Sequence, residues 1–127
     1  MTKEHLTTGE AYLKAWNNQA LEEIKKYLYP EVHFIGPMTE TTGNEKVLQS
    51  AKRTFGMLKA LEVRSRFVSG DQAIFTYDFV CTAPIGVCRT AELMTFKDDM
   101  ISRIGLFFDA RPFEKLMQSQ PPVAKSA

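Results

Sequence analysis

The chain has 127 residues, 44% of them hydrophobic and 24% charged, with a formal net charge of +1. That length suits one domain burying about two thirds of its unfolded surface, and the ordinary composition argues against disorder. No apolar run approaches membrane length, and basic residues lie among acidic ones rather than in a stripe, so neither a membrane nor a nucleic acid is an expected partner.

A first helix is expected to open at Thr7-Thr8-Gly9-Glu10, where Thr7 and Glu10 have capping-box spacing. It carries Ala11, Tyr12, Ala15 and Trp16 at helical intervals until Asn17-Asn18 breaks it. His5 precedes that cap and is expected to be mobile. A short second helix follows over 21–28 with Leu21, Ile24 and Leu28 on one side, and Pro30 lies beyond its end. Val32-His33-Phe34-Ile35 reads as a strand closed by Gly36-Pro37, and 39–43 as a loop. Thr42 and Glu45 repeat the capping-box spacing and open a third helix through Val47, Leu48, Ala51, Phe55 and Leu58.

The period then changes from helix to strand. Strands are expected over 62–68, 72–81, 88–97 and 100–108, with turns at Ser69-Gly70-Asp71 and Asp98-Asp99. Cys81 and Cys88 flank a short connection and are expected to face each other across it, either as buried thiols or as a disulfide. The start Met1-Thr2-Lys3-Glu4-His5 has no apolar secretory stretch, so reduced thiols and a cytoplasmic location are the expectation. Asp109 caps a last helical turn near 112–117, which ends a single domain over 1–117 before a flexible tail over 118–127. Helices followed by antiparallel strands make an α+β pattern, a curved sheet with one face on about three N-terminal helices.

Glu92 stands out in this pattern. Strand alternation gives it the face of Cys88, Thr90, Met94 and Phe96 and leaves Arg89 and Lys97 on the other. A carboxylate on an apolar face needs a partner, a proton or a function, because desolvating it uncompensated is costly. His33 is the natural proton carrier among ordered elements, although it lies one residue off the parity of Phe34 and Gly36. Asp78 alternates with Phe75, Tyr77 and Phe79 and so points outward toward Arg64 and Arg66. Trp16, Phe34, Met38, Phe55, Phe75 and Met94 either line an apolar pocket or fill a core, which periodicity does not separate. No metal-ligand spacing, phosphate-cradling glycine loop or nucleophile triad is present, so cofactor-free chemistry is expected.

The order of elements, the run Tyr12-Leu13-Lys14-Ala15-Trp16-Asn17 and the ending Ile104-Gly105-Leu106-Phe107-Phe108-Asp109-Ala110-Arg111-Pro112-Phe113 resemble the nuclear transport factor 2-like superfamily. The SnoaL-like and ketosteroid isomerase-like members are the nearest in pattern, from about Thr7 to Met117. The resemblance implies a cone: a strongly curved sheet wrapped around the helices, enclosing a mostly apolar pocket, often in a homodimer. It places Tyr12 and Glu92 where ketosteroid isomerase-like proteins set a tyrosine hydroxyl and a neutral acid that together donate to a developing oxyanion. The family's proton-shuttling Asp precedes a proline on the early strand, and here that position is Gly36. In limonene-epoxide-hydrolase-like relatives a carboxylate on the last strand corresponds to Leu106. The implied activity is a cofactor-free isomerase, cyclase or hydratase acting by proton transfer on a small cyclic or carbonyl-bearing molecule, with Tyr12, Glu92 and His33 as candidate catalytic groups. Trp16, Phe34, Gly36, Met38, Phe55, Phe75, Met94 and Leu106 are the expected pocket wall. A non-catalytic binder and a dimerising interaction module remain the alternatives.

Overall fold

The computed structural model describes residues 2–118. Its elements run α1 (Thr2–Asn17), α2 (Leu21–Lys26), β1 (Leu28–Ile35), β2 (Glu40–Thr42), α3 (Asn44–Thr54), β3 (Leu58–Ser69), β4 (Gln72–Cys81), β5 (Val87–Lys97), β6 (Met100–Phe107) and α4 (Arg111–Gln118). The strands form one curved, unclosed sheet in the order β2-β1-β6-β5-β4-β3, so the α+β cone expected from the sequence is the fold observed. Its sheet is mixed rather than wholly antiparallel, because the β3-to-β6 meander starts at the far edge and returns beside β1 in the same direction.

Curvature has local causes. Register shifts interrupt the ladders between Leu58 and Ala60, between Val63 and Ser65, and between Thr95 and Phe96. Each irregularity bends its strand and raises the local twist. Another separates Leu28 from His33 in β1, a stretch that includes Pro30, which has no N–H to give the ladder. The turn at Asp98-Asp99 forms as expected, with both residues at positive φ, 52° and 62°.

Inside the curve lies α1, against β3 and β4. The buried cluster joins Tyr12, Leu13 and Ala15 of the helix to Phe75, Met94 and Ile104 of the sheet. Asn17 fastens the helix end by accepting the Leu61 backbone N–H at 2.8 Å. Gln19 donates to the Phe55 and Leu58 carbonyls, 3.2 Å each, which satisfies the end of α3 and stops it at Thr54 short of the expected Leu58.

Several expectations need correction. α1 starts at Thr2, so Thr7 and Glu10 lie inside it, and Glu10 pairs with Arg66 instead of capping. The reason is tertiary: the buried stripe of Tyr12 extends back through Gly9 to His5, which is buried and stacked on Phe96 at 4.5 Å, not mobile. Leu28 opens β1 opposite Ile101 rather than closing α2. The segment expected as a loop over 39–43 contains β2, with Thr42 opposite His33, and α3 is capped by Gly43 at φ 104° with no side-chain bond. Cys88 stands opposite Phe79, two positions off Cys81, so both thiols are free. Burial pushes the Cys81 thiol up to about 11. Apart from Gln118, which ends α4, the expected tail lies outside the described residues.

Gly9 is where α1 comes closest to the sheet. A Cβ built there would sit 2.4 Å from Phe75 Cε1 and 2.5 Å from its Cζ, and that ring is fully buried. Gly9→Ala gains about 1 kcal/mol in helix propensity but overpacks a core site at about 1–3 kcal/mol or more. A net loss of stability, read as a lower urea midpoint at unchanged m-value, is the expected outcome.

Candidate functional site

The same face that packs α1 opens further along into a cavity of about 570 Å³. α1 contributes Tyr12 and Trp16, one turn apart. From β4 come Tyr77 and Phe79, and from β5 the alternate residues Cys88, Thr90 and Glu92, whose burial follows the strand's strict alternation. Phe34, Leu61 and Leu106 complete the inner wall. The rim is made by 36–39 after β1, by the α3 side chains Ser50, Arg53 and Thr54, and by Phe113, Leu116 and Met117 of α4.

Glu92 is 3% exposed, and its carboxyl accepts one hydrogen bond, from the Tyr77 hydroxyl to Oε1 at 2.6 Å. The pair is diagonal across the β4–β5 ladder: Tyr77 stands opposite Thr90, and Glu92 is two residues on, on the same face. Burial pushes the Glu92 carboxyl up to about 7, and the Tyr77 hydrogen bond pulls in the opposite direction by favouring the ionised form. Burial, followed by the nearby Glu92 charge, holds both the Tyr12 and Tyr77 phenols well above the ordinary tyrosine range, so both remain protonated donors.

Tyr12 is 1% exposed, and its hydroxyl has no hydrogen-bond partner. The indole of Trp16 favours the phenolate slightly but does not reach hydrogen-bond geometry with that oxygen. An unpaired buried hydroxyl costs about 1–3 kcal/mol. A ligand atom that accepts from it recovers that cost.

The expected residues divide by position. Tyr12, Trp16, Phe34, Gly36, Met38, Glu92 and Leu106 all border the cavity. Phe75 and Met94 do not: they are fully buried at the end of the sheet where Gly9 brings α1 down onto them. Phe55 packs behind the wall, edge-on to Trp16 at 5.6 Å. His33 lies on the opposite strand face, its Nε2 2.9 Å from Glu40 Oε2, and takes no part in the cavity wall. Asp78 pairs outward with Arg64 at 2.9 Å. Asp109 accepts from the Arg111 guanidinium at 2.9 Å and from its backbone N–H at 3.0 Å, which together hold its carboxyl down to about 2. Tyr77 was the partner that sequence reasoning missed. Its parity with Phe75 and Phe79 showed that it faced inward, but the cross-strand register that sets it diagonal to Glu92 was needed as well. Among the described residues no group of three potential ligands gathers to hold a metal ion.

The family model for the SnoaL-like domain matches residues 10–104. The chain belongs to the SnoaL-like domain family. Solved structures share the fold. One, an NTF2-like protein of unknown function from Cytophaga hutchinsonii, is 21% identical, with TM-score 0.77 over 87% of this chain and 94% of that one. A protein of Kribbella flavida described as a candidate ketosteroid isomerase is 19% identical, with TM-score 0.75 over 85% and 79%. A candidate polyketide cyclase from Sinorhizobium meliloti is 16% identical, with TM-score 0.74 over 80% and 94%. No curated protein matches the chain.

In this SnoaL-like domain the raised Glu92 pKa ties stability to pH. The folded state keeps the Glu92 proton up to about 7, whereas an unperturbed glutamate releases it near 4.5. Between those values the folded state binds more protons, so its stability falls as pH rises through that window and is flat above it. The fall attributable to Glu92 is roughly 3 kcal/mol. Glu92→Gln should remove this component, so urea unfolding of the variant and the parent chain should diverge, in the variant's favour, from about pH 4.5 to above 7.

Proposed function

We propose that the cavity binds a small cyclic or aromatic molecule through a carbonyl oxygen and that the domain moves a proton on it, as an isomerase or cyclase does. The observation that carries this reading is the unpartnered, buried Tyr12 hydroxyl in the same apolar wall as a carboxyl that titrates near 7. Apolar surface with a few convergent polar groups is what holds and orients a small ligand. A group with a pKa near the working pH is suited to accept and return a proton.

Roles follow from the geometry. Tyr12 donates to the carbonyl oxygen and stabilises the negative charge that develops there. Tyr77 holds Oε1 of Glu92 and leaves the other carboxyl oxygen to the ligand. That oxygen takes a proton from the carbon next to the carbonyl, the C–H electron pair forms the enolate double bond, and the proton returns to a different carbon. Glu92 thus supplies the base that Gly36 lacks. Donation by Tyr77 favours the ionised form of Glu92, which suits a base better than a second oxyanion donor.

Activity on a β,γ-unsaturated cyclic ketone should therefore rise with pH to a plateau above about 7. Tyr12→Phe should lower kcat about 10²–10³-fold, and Glu92→Gln should abolish exchange of solvent deuterium into the ketone. A rate that instead falls as pH rises through 7 would make the neutral acid of Glu92 the working form. Full turnover in both variants would sink the assignment.

One observation favours a binder without turnover: no acid or base stands at 36. A Cβ there would meet Leu106 Cβ at 3.6 Å and Phe34 Cε1 at 3.8 Å, ordinary contacts, so the site accepts a side chain. If the chain only binds, Gly36→Asp should create deuterium exchange where the parent chain shows none. The homodimer belongs to the same proposal, supported by Val87 and Phe107, each 59% exposed and bordering one shallow depression on the outer sheet face. Sedimentation should show a dimer that Phe107→Asp dissociates; a monomer at high concentration would remove this part.

A further inference from the structure

Hydrogen-bonding groups at the inner end of the cavity say nothing of what its rim recognises. α3 turns Ser50, Arg53 and Thr54 toward the cavity, and Met57 continues the same row just past the helix end. This spacing of three, four and seven residues marks one helical face. The Thr54 hydroxyl is already used, donating to the Ser50 carbonyl at 2.8 Å. Arg53 is different. It is exposed, and among the described residues Arg53, Arg89 and Arg103 have no carboxylate partner, whereas Arg64, Arg66 and Arg111 pair with Asp78, Glu10 and Asp109; of the three without one, Arg53 borders the cavity. Among the described residues that line the cavity it is also the only basic side chain, and Glu92 is the only acidic one.

The charged groups therefore mark two ends, a carboxyl inside and a guanidinium at the lip. Arg53 borders the cavity and is exposed, and a side chain of this kind can cover apolar surface with its stem while its charged head stays in water. A guanidinium is a rigid, planar fork of donors that fits a carboxylate with two parallel hydrogen bonds. An anionic group cannot be the end that goes in first, because there it would meet Glu92 in an apolar wall.

We infer that Arg53 forms an anion subsite at the cavity rim and that the ligand class is a cyclic or aromatic keto acid, which enters carbonyl first and leaves its carboxylate on Arg53. This rests on the carbonyl-binding reading above and adds the chemistry of the ligand's other end. Because Arg53 is exposed, the gain is modest and screened by salt.

Trp16 is the only tryptophan in the chain and lines the cavity, so its fluorescence reports occupancy. Suitable probes are benzophenone, 4-benzoylbenzoic acid and the methyl ester of that acid, titrated at low salt. The acid should bind about three- to tenfold more tightly than the ester. Arg53→Gln should erase that preference, so that acid and ester bind alike, and added salt should erase it in the parent chain. Equal binding of acid and ester by the parent chain, or an acid preference that survives in Arg53→Gln, overturns the anion subsite while the carbonyl reading stands. No quenching of Trp16 by any of the three probes overturns the carbonyl reading, and the subsite with it.

Discussion

The Glu92 carboxyl, buried on the concave face of the sheet and held by one phenol, is the constraint around which this domain is arranged. An ionised carboxylate in that position is so costly that the group keeps its proton up to about 7. Filling the space around it with apolar side chains would complete the desolvation and leave an oxygen without a partner. The cavity avoids that outcome. Tyr77 satisfies one oxygen, and Glu92 borders the cavity.

Core and cavity are two ends of one surface. Along β5 the inward residues are Cys88, Thr90, Glu92, Met94 and Phe96, with no break in alternation. What differs is the distance to α1. Gly9 lets the helix descend until Phe75 and Met94 fill the contact, and His5 stacks on Phe96 beyond them. Toward the helix's other end Tyr12 and Trp16 line the cavity. A single apolar face is thus divided into a closed part beneath Gly9 and an open part beside Tyr12 and Trp16. Bulges in β3 and at the β5–β6 pairing supply the curvature that this geometry needs.

Much of this was legible in local pattern. Period-2 alternation located β4 to β6 and put Glu92 inward and Asp78 outward, and the same parity turned His33 away from Gly36. Local signals failed where tertiary contacts outweighed them. The capping-box words at Thr7 and Thr42 are sound chemistry for a helix start, but burial of His5 and Gly9 extends α1 past the first, and pairing of Thr42 with β1 uses up the second. The cysteines looked opposed because they bracket a turn, yet a ladder shifted by two residues separates them.

The sequence by itself determined the fold class, the inward faces of β4 and β5 and the anomaly at Glu92, because these follow from side-chain periodicity and the cost of a charge on an apolar face, while the family was legible in the resemblance of its element order and of the runs at Tyr12 and Ile104. Only the tertiary structure decided that Tyr77 is the partner of Glu92, that Phe75 and Met94 are core while Trp16 and Leu106 border the cavity, and that Arg53 stands at its rim. Those facts depend on register between strands and on the height of a helix above a sheet. Neither quantity is encoded in the spacing of residues along a single element.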